Sequence, residues 1–296
     1  MSVAVLHNPF AGRGRHRHAM EATLRHLSIA GHDVRVLAGP TAAAALEAAR
    51  EAVADGAAAL VAVGGDGTVH LGLQAVAGTG VPFGVVPAGT GNDFAVEMMV
   101  PSDPETAAKA IAEALVAGRT RRIDLGRAVG PDDCVRWFGA VLGAGFDAIV
   151  NERANAMRWP RGPLRYDMAT YAELMRLRPR RYSLTLDGEV RELDAVLVAV
   201  GNTASYGGGM RICPAADATD GLLDLVVAGR ISRTTLVRIK PRVYKGTHVD
   251  HPRVESFRAK EVRIAAPGIT TYVDGERGCP LPVTVTAEPG ALTLLS

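Results

Sequence analysis

The sequence predicts an α/β domain followed by a β-rich, sandwich-like domain, and three observations support this. Apolar strands alternate with helical patterns over roughly the first 120 residues. Continuous apolar runs such as Ala58–Val63 fit parallel strands covered on both faces. After Arg119 the pattern changes to many short strands separated by turns. The length of 296 residues suits two cores, since a single core rarely grows past roughly 250 residues.

In chain order, Val3–Leu6 is a short strand ending at the turn signal His7-Asn8-Pro9. His18–Ala30 has helical spacing at Met20, Leu24 and Leu27, and Gly31 closes it. Asp33–Leu37 is a strand, and Thr41 caps a helix over Ala42–Ala54 that ends near Asp55-Gly56. After the strand Ala58–Val63, a helix runs from about Thr68 to Val76, followed by the strand Val81–Val86. Asp103-Pro104 starts a further helix that stops at Gly118.

Beyond that point Arg122–Val129, Val135–Leu142, Tyr182–Leu186, Leu193–Val200, Leu223–Val227, Glu261–Ala265 and Thr270–Val273 read as strands. Leu164–Leu177 is the substantial helix of this half, and Arg233–Val243 a weaker one. The expected domains are 1–122 and 123–288, with a last strand in 289–296 that can return to the first.

Composition narrows the classes. Hydrophobic residues make up 48% and charged residues 22%, as in ordinary globular proteins. A net charge of +2 gives no global field that would favour nucleic acid. Cys134, Cys213 and Cys279 are odd in number and lack metal-ligand spacing, so neither a metal site nor a disulfide framework is expected and a reducing cytoplasm fits best. No apolar run approaches the ~20 residues of a spanning helix, and the N-terminus lacks a signal-peptide pattern. Any membrane contact is expected to be peripheral.

Two glycine-rich loops carry the chemistry. Gly64-Gly65-Asp66-Gly67-Thr68 follows a strand and precedes a helix, where glycines let backbone N–H groups approach a phosphate at a helix N-terminus. A ligand-free turn would use the same glycines, but Asp66 beside a phosphate site points to a metal or a proton. Pro87-Ala88-Gly89-Thr90-Gly91-Asn92-Asp93-Phe94-Ala95 follows the next strand. Two such loops at the carboxyl ends of strands share the crevice where open α/β sheets bind ligands. Asn8-Pro9-Phe10-Ala11-Gly12-Arg13-Gly14-Arg15 is a third loop, whose arginines could neutralise phosphate.

Together, Asn8-Pro9, Gly64–Thr68 and Pro87–Ala95 resemble the diacylglycerol kinase catalytic-domain superfamily, which includes the soluble bacterial lipid kinases and the sphingosine kinases. Gly143–Asp147, Gly201-Asn202, Gly207–Gly209, Pro214–Asp224 and Val273–Glu276 extend the resemblance in order along the chain. It implies a nucleotide-binding α/β domain, a β-sandwich-like lipid-substrate domain and an active site in the cleft between them. It also implies ATP and Mg2+, with phosphoryl transfer to a lipid hydroxyl.

Residue by residue, Asp66 would act at the nucleotide–metal site. Asn8, Pro9, Gly12, Arg13, Thr41, Gly64, Gly65, Gly67, Thr68, Gly89, Thr90 and Asn92 would line the nucleotide. Glu276 matches a proposed general base, with Asp274 beside it, although one branch of the superfamily gives that role to the aspartate at Asp66. Asp124 falls where a further acidic residue is expected. Asp217, Asp220 and Leu222 match a structural magnesium site; a metal-free acidic turn is the alternative.

Diacylglycerol is the simplest acceptor, with a sphingoid base or phosphatidylglycerol as alternatives. The Asn92–Ala95 extension disfavours an NAD kinase, and the retained acids disfavour a non-catalytic nucleotide-binding regulator. The segment Arg158–Arg165, with Trp159 and the later Arg176, Arg178, Arg180 and Arg181, is either a face for anionic headgroups or a solvated helix surface. The expected partner is a lipid at the membrane surface, with no nucleic acid, and a homodimer stays open.

Overall fold

Ser2–His7 forms β1, buried along Val3–Leu6. The computed structural model describes residues 2–8, 15–157, 159 and 163–296, and two compact units emerge: Met1–Leu125 with Glu288–Ser296, and Gly126–Ala287. In the first unit, α1 (Arg15–Ile29), β2 (Asp33–Leu37), α2 (Ala42–Ala54), β3 (Ala59–Gly64), α3 (Asp66–Val76) and β4 (Phe83–Pro87) follow in alternation. The short α4 (Asp93–Glu97) and then α5 (Pro104–Ala117) complete its helices before β5 (Thr120–Val129).

Strands lie in the order β2-β1-β3-β4, all parallel. Leu294, near the chain end, pairs in parallel with Phe83. Alternating side chains of β1 and β3 divide between two faces. Val3, Val5, Val61 and Val63 pack with Ala19, Ala22 and Leu27 of α1 and Ala107, Ala108 and Ile111 of α5. On the opposite face α3 lies so close that a Cβ on Gly72 would fall 2.5 Å from the Phe83 ring. Caps match their residue types: Thr41 Oγ1 accepts from Ala44 N–H, Asp103 from Thr106 N–H, and Gly118 ends α5 at φ 65°.

The second unit continues with β6 (Val135–Phe138), β7 (Val141–Gly143), α6 (Phe146–Ala156), α7 (Pro163–Met175), β8 (Arg180–Leu186), β9 (Glu189–Ala195) and β10 (Leu197–Gly201). Then come β11 (Leu223–Ala228), α8 (Arg233–Lys245), a single 3-10 turn (Thr247–Asp250), β12 (Val254–Ala259), β13 (Glu261–Ala265), β14 (Thr270–Val273), β15 (Glu276–Pro280) and β16 (Val283–Leu295). One sheet runs β12-β11-β10-β7-β14-β15. The strands β13, β8 and β9, with the start of β16 and the β5–β6 pair, belong to another sheet. Leu142, Val198, Val200 and Leu225 of the first meet Leu184, Val262, Ile264 and Val283 of the second in one core. This is a sandwich, as the pattern of short strands predicts.

Two expected strands are each broken in two. Leu193–Val200 divides at Val196 because β9 and β10 belong to different sheets. Val135–Leu142 divides because the N–H groups of Gly139, Ala140 and Val141 turn to the carboxylate of Asp274. The helix α6 and the strands β12 and β15 were not anticipated from the sequence pattern.

The cysteine expectation needs correction. Cys134 and Cys279 form a disulfide, with Cα atoms 5.8 Å apart, leaving Cys213 buried and free. Their 145-residue separation hid the pairing; the sandwich brings the turn before β6 against β15.

Candidate active site

Parallel pairing puts the carboxyl ends of β1, β2, β3 and β4 on one edge of the first unit's sheet, with β1 flanked by β2 and β3. Chain direction reverses its lateral progress between β1 and β3, which is the position where such sheets open a ligand crevice. Asn8 leaves β1 at this edge, Thr41 follows β2, Gly64–Thr68 follows β3, and Gly89–Asn92 follows β4. Pro9, Gly12 and Arg13 lie outside the described residues.

Here the two glycine loops meet. Ala88 N–H donates to the Gly64 carbonyl at 2.8 Å. A Cβ on Gly89 would stand 2.5 Å from the Gly65 Cα, so neither position can take a side chain without separating the loops. Gly64 is equally closed, since its Cβ would fall 2.4 Å from Thr68 Oγ1. Asn92, at φ 58°, folds its amide back on the loop, accepting from Gly89 N–H at 3.0 Å and donating to the Gly89 carbonyl at 3.1 Å. Arg15 Nη1 reaches the same carbonyl at 3.3 Å. Gly67 is the second residue of α3, Thr68 is buried beside it, and Thr90 is exposed at the loop tip.

Asp66 sits at the start of α3, and its Oδ2 accepts from Asn92 N–H at 2.8 Å. Oδ1 is buried with no hydrogen-bond partner among the described residues. Burial, then the charge of Asp93, raises the Asp66 pKa, and backbone N–H donors oppose this only in part. A buried carboxylate oxygen without a donor, beside a helix N-terminus and a glycine cradle, suits a hard divalent cation carried by a phosphate.

The other acids have different surroundings. Asp124 is buried on β5, where Oδ1 accepts from Gly290 N–H of β16 at 2.7 Å. Asp274 and Gly275, at φ 51° and 87°, form the two-residue turn from β14 to β15. The Asp274 carboxylate accepts from Gly139, Ala140 and Val141 at 2.9, 2.8 and 3.2 Å. Glu276 is the first residue of β15 and is exposed. Asp274 therefore fixes the hairpin that presents Glu276.

At the acidic turn, Asp217 accepts from the Thr219 N–H and hydroxyl, and Asp220 accepts from Leu222 N–H at 3.0 Å. Arg258 pairs with both Asp220 and Asp224. No group of three or more His, Cys, Asp or Glu side chains disposed to hold a metal occurs among the described residues. At this turn the Arg258 guanidinium offsets part of the charge of Asp220 and Asp224, while Asp217 is held only by Thr219.

Several features carry no motif and escaped the sequence reading. His7, at the end of β1, and His16, in the first turn of α1, stack with ring centroids 5.5 Å apart, and burial lowers both pKa values. Asp147 at the start of α6 is half-buried, with desolvation raising its pKa, and accepts from the Tyr206 hydroxyl at 3.1 Å. On α7, Leu164, Met168, Tyr171 and Met175 form an exposed stripe at helical spacing, and Trp159 is 77% exposed. Arg165, Arg176 and Arg178 form no ion pair among the described residues, while Arg161 lies outside them.

The comparisons with known proteins agree with this fold. Residues 2–128 match the diacylglycerol kinase catalytic domain, and residues 140–296 match the YegS C-terminal NAD kinase beta sandwich-like domain. A Mycobacterium tuberculosis protein named diacylglycerol kinase is 46% identical over 294 residues, covering 99% of this chain and 94% of the relative. The chain belongs to the diacylglycerol kinase family. A Bacillus subtilis member is 27% identical over 282 residues, covering 94% of this chain and 90% of its own. A Bacillus anthracis diacylglycerol kinase crystal structure shares the fold, with a TM-score of 0.71 at 21% identity and coverage of 99% and 96%. The family is one of lipid kinases, and membership makes this chain a lipid kinase. No helix among the described residues is long and apolar enough to cross a membrane.

Proposed function

We propose that the protein transfers the γ-phosphoryl group of ATP, with Mg2+, to a lipid hydroxyl, most simply converting diacylglycerol to phosphatidic acid. The observation that carries this reading is Asp66, a half-buried carboxylate between two interlocked glycine loops whose buried Oδ1 has no hydrogen-bond partner among the described residues. Phosphoryl transfer needs positioning and neutralised phosphate charge more than covalent chemistry from the protein.

Asp66 would hold the divalent ion, which neutralises phosphate charge when bound. The N–H groups at the start of α3 would orient the phosphates, with Arg15 close by. Asn8, Thr41, Thr68 and Thr90 would line the rest of the nucleotide. Glu276 would accept the proton of the lipid hydroxyl as the new bond to phosphorus forms, and Asp274 and Asp124 would act as positioning residues. The α7 stripe with Arg165, Arg176 and Arg178 would supply peripheral contact with the membrane.

The test is labelled ATP with magnesium against a panel of lipid alcohols and NAD, repeated with Asp66→Ala and Glu276→Gln. Phosphorylation of diacylglycerol that disappears in both variants, with nucleotide binding kept in Glu276→Gln, supports the reading. Transfer to NAD alone, or full turnover in Asp66→Ala, would sink it.

A further inference from the structure

We propose that α8 seats the protein on anionic phospholipid, as a second point of attachment besides α7; the proposal rests on the acceptor being a bilayer lipid. The helix carries Arg233, Arg238, Lys240, Arg242 and Lys245 and no acidic residue. At about 100° per residue, Val237, Pro241 and Tyr244 line up on the side opposite the buried Ile239. Val237 is 55% exposed and Tyr244 47% exposed. Arg233 and Lys240 flank this stripe on one side, and Arg238 and Lys245 on the other.

Neither the stripe nor the cations are needed to hold the helix in place. Leu236 and Val243 pack from behind against the cluster containing Ile212, Val226 and Ile231. Ser232 caps the start by accepting from Thr235 N–H, and Gly246 ends the helix at φ 70°. Arg242 turns to the Thr247 carbonyl at 2.6 Å. Arg233, Arg238, Lys240 and Lys245 form no ion pair among the described residues, so four cations and an apolar stripe face outward.

That combination selects the partner. A nucleic acid would use the cations, but Val237 and Pro241 give it no stacking platform. A second copy meeting α8 with α8 would oppose like charges. An anionic bilayer uses both, because apolar side chains enter the headgroup boundary while Lys and Arg meet lipid phosphates. Leu177, just after α7, packs on the same cluster as α8, which ties the two basic segments to one part of the sandwich.

The experiment is co-sedimentation of the full chain with phosphatidylcholine vesicles, with and without phosphatidylglycerol. The parent should bind the mixed vesicles only. Arg233→Glu/Lys240→Glu/Lys245→Glu should lose about a hundredfold in binding, since each cation near such a surface contributes roughly fivefold. Its turnover of a dispersed short-chain diacylglycerol should equal the parent's. Tyr244→Trp should show a blue-shifted emission on mixed vesicles relative to the parent chain. Undiminished sedimentation of the triple variant, no emission shift, or a charge-dependent change in oligomeric state or RNA binding without vesicle binding would each overturn the role of α8. Vesicle binding through α8 with no lipid phosphorylated would instead count against the kinase reading, so the two failures are separable.

Discussion

Asn92 locks the second glycine loop onto Asp66: its N–H donates to Asp66 Oδ2 at 2.8 Å from a left-handed backbone with φ 58°. The same residue closes its own loop through two side-chain bonds to Gly89. One asparagine thus sets both the shape of the loop and its distance from the carboxylate. Few residues other than glycine tolerate that φ, and glycine has no side-chain amide to offer.

Asn92→Ala should therefore lose about 2–3 kcal/mol of stability, from two neutral hydrogen bonds and a strained φ. Asn92→Gly should lose less, because only the bonds go. In both, nucleotide affinity should fall while the fold of the sandwich is kept. Urea titration and calorimetric titration with ATP measure the two effects. A Gly variant as damaged as the Ala variant would show that the amide, not the backbone angle, dominates.

Asp66 gives a prediction with a defined sign. Its folded pKa is raised, chiefly by burial and then by Asp93. As pH rises from below the ordinary carboxylate range, the unfolded chain loses this proton first. Folding therefore loses stability from the unfolded pKa upward, until the raised folded value is passed. Asp66→Asn should be more stable than the parent at neutral pH, by about 1–2 kcal/mol, and equal to it in acid. Magnesium with ATP should raise the Tm of the parent and leave Asp66→Asn unmoved. Thermal melts across pH, with and without both ligands, read this directly.

Asp274 and Glu276 are neighbours with separable roles. Asp274 accepts three backbone N–H bonds, whereas Glu276 stands exposed. Asp274→Ala should lower stability by about 3 kcal/mol, because charge-assisted bonds are strong and the freed N–H groups stay partly buried. Glu276→Gln should leave the melt unchanged and reduce kcat, with little change in KM for ATP. A Tm drop in Glu276→Gln, or none in Asp274→Ala, would reverse these assignments.

The parallel strands, the caps at Thr41 and Asp103 and the proximity of the glycine loops were legible because each is local or follows from sheet topology. Gly65 and Gly89 must meet once β3 and β4 pair, and their spacing in sequence already announces it. What was not legible depends on partners distant in sequence. Leu186–Glu189 and Val273–Glu276 read alike, and both form Asp-Gly hairpin turns whose carboxylates bind backbone N–H groups. Only the fold shows that Asp187 clamps Lys260 and Glu261 while Asp274 breaks an expected strand at Gly139. The Cys134–Cys279 bond and the capture of the acidic turn by Arg258 are non-local in the same way.

Arg258 provides the last test, of the acidic turn. It pairs with Asp220 and with Asp224, which is buried and whose pKa is raised mainly by burial and held back by this arginine. Arg258→Met would leave the Asp224 carboxylate without its guanidinium and push its pKa higher still. The variant should lose about 2 kcal/mol at neutral pH, below the full cost of breaking a buried pair because the arginine is partly exposed. The loss should shrink as pH falls through the raised folded pKa and vanish below the unfolded value, where both states are protonated. Magnesium in millimolar excess distinguishes the two views of the turn. If Arg258 alone neutralises it, the ion leaves the Tm of Arg258→Met unchanged in the absence of nucleotide. Rescue of the variant by magnesium, lost again in Asp217→Asn, would establish Asp217–Leu222 as a cation site that the arginine otherwise closes.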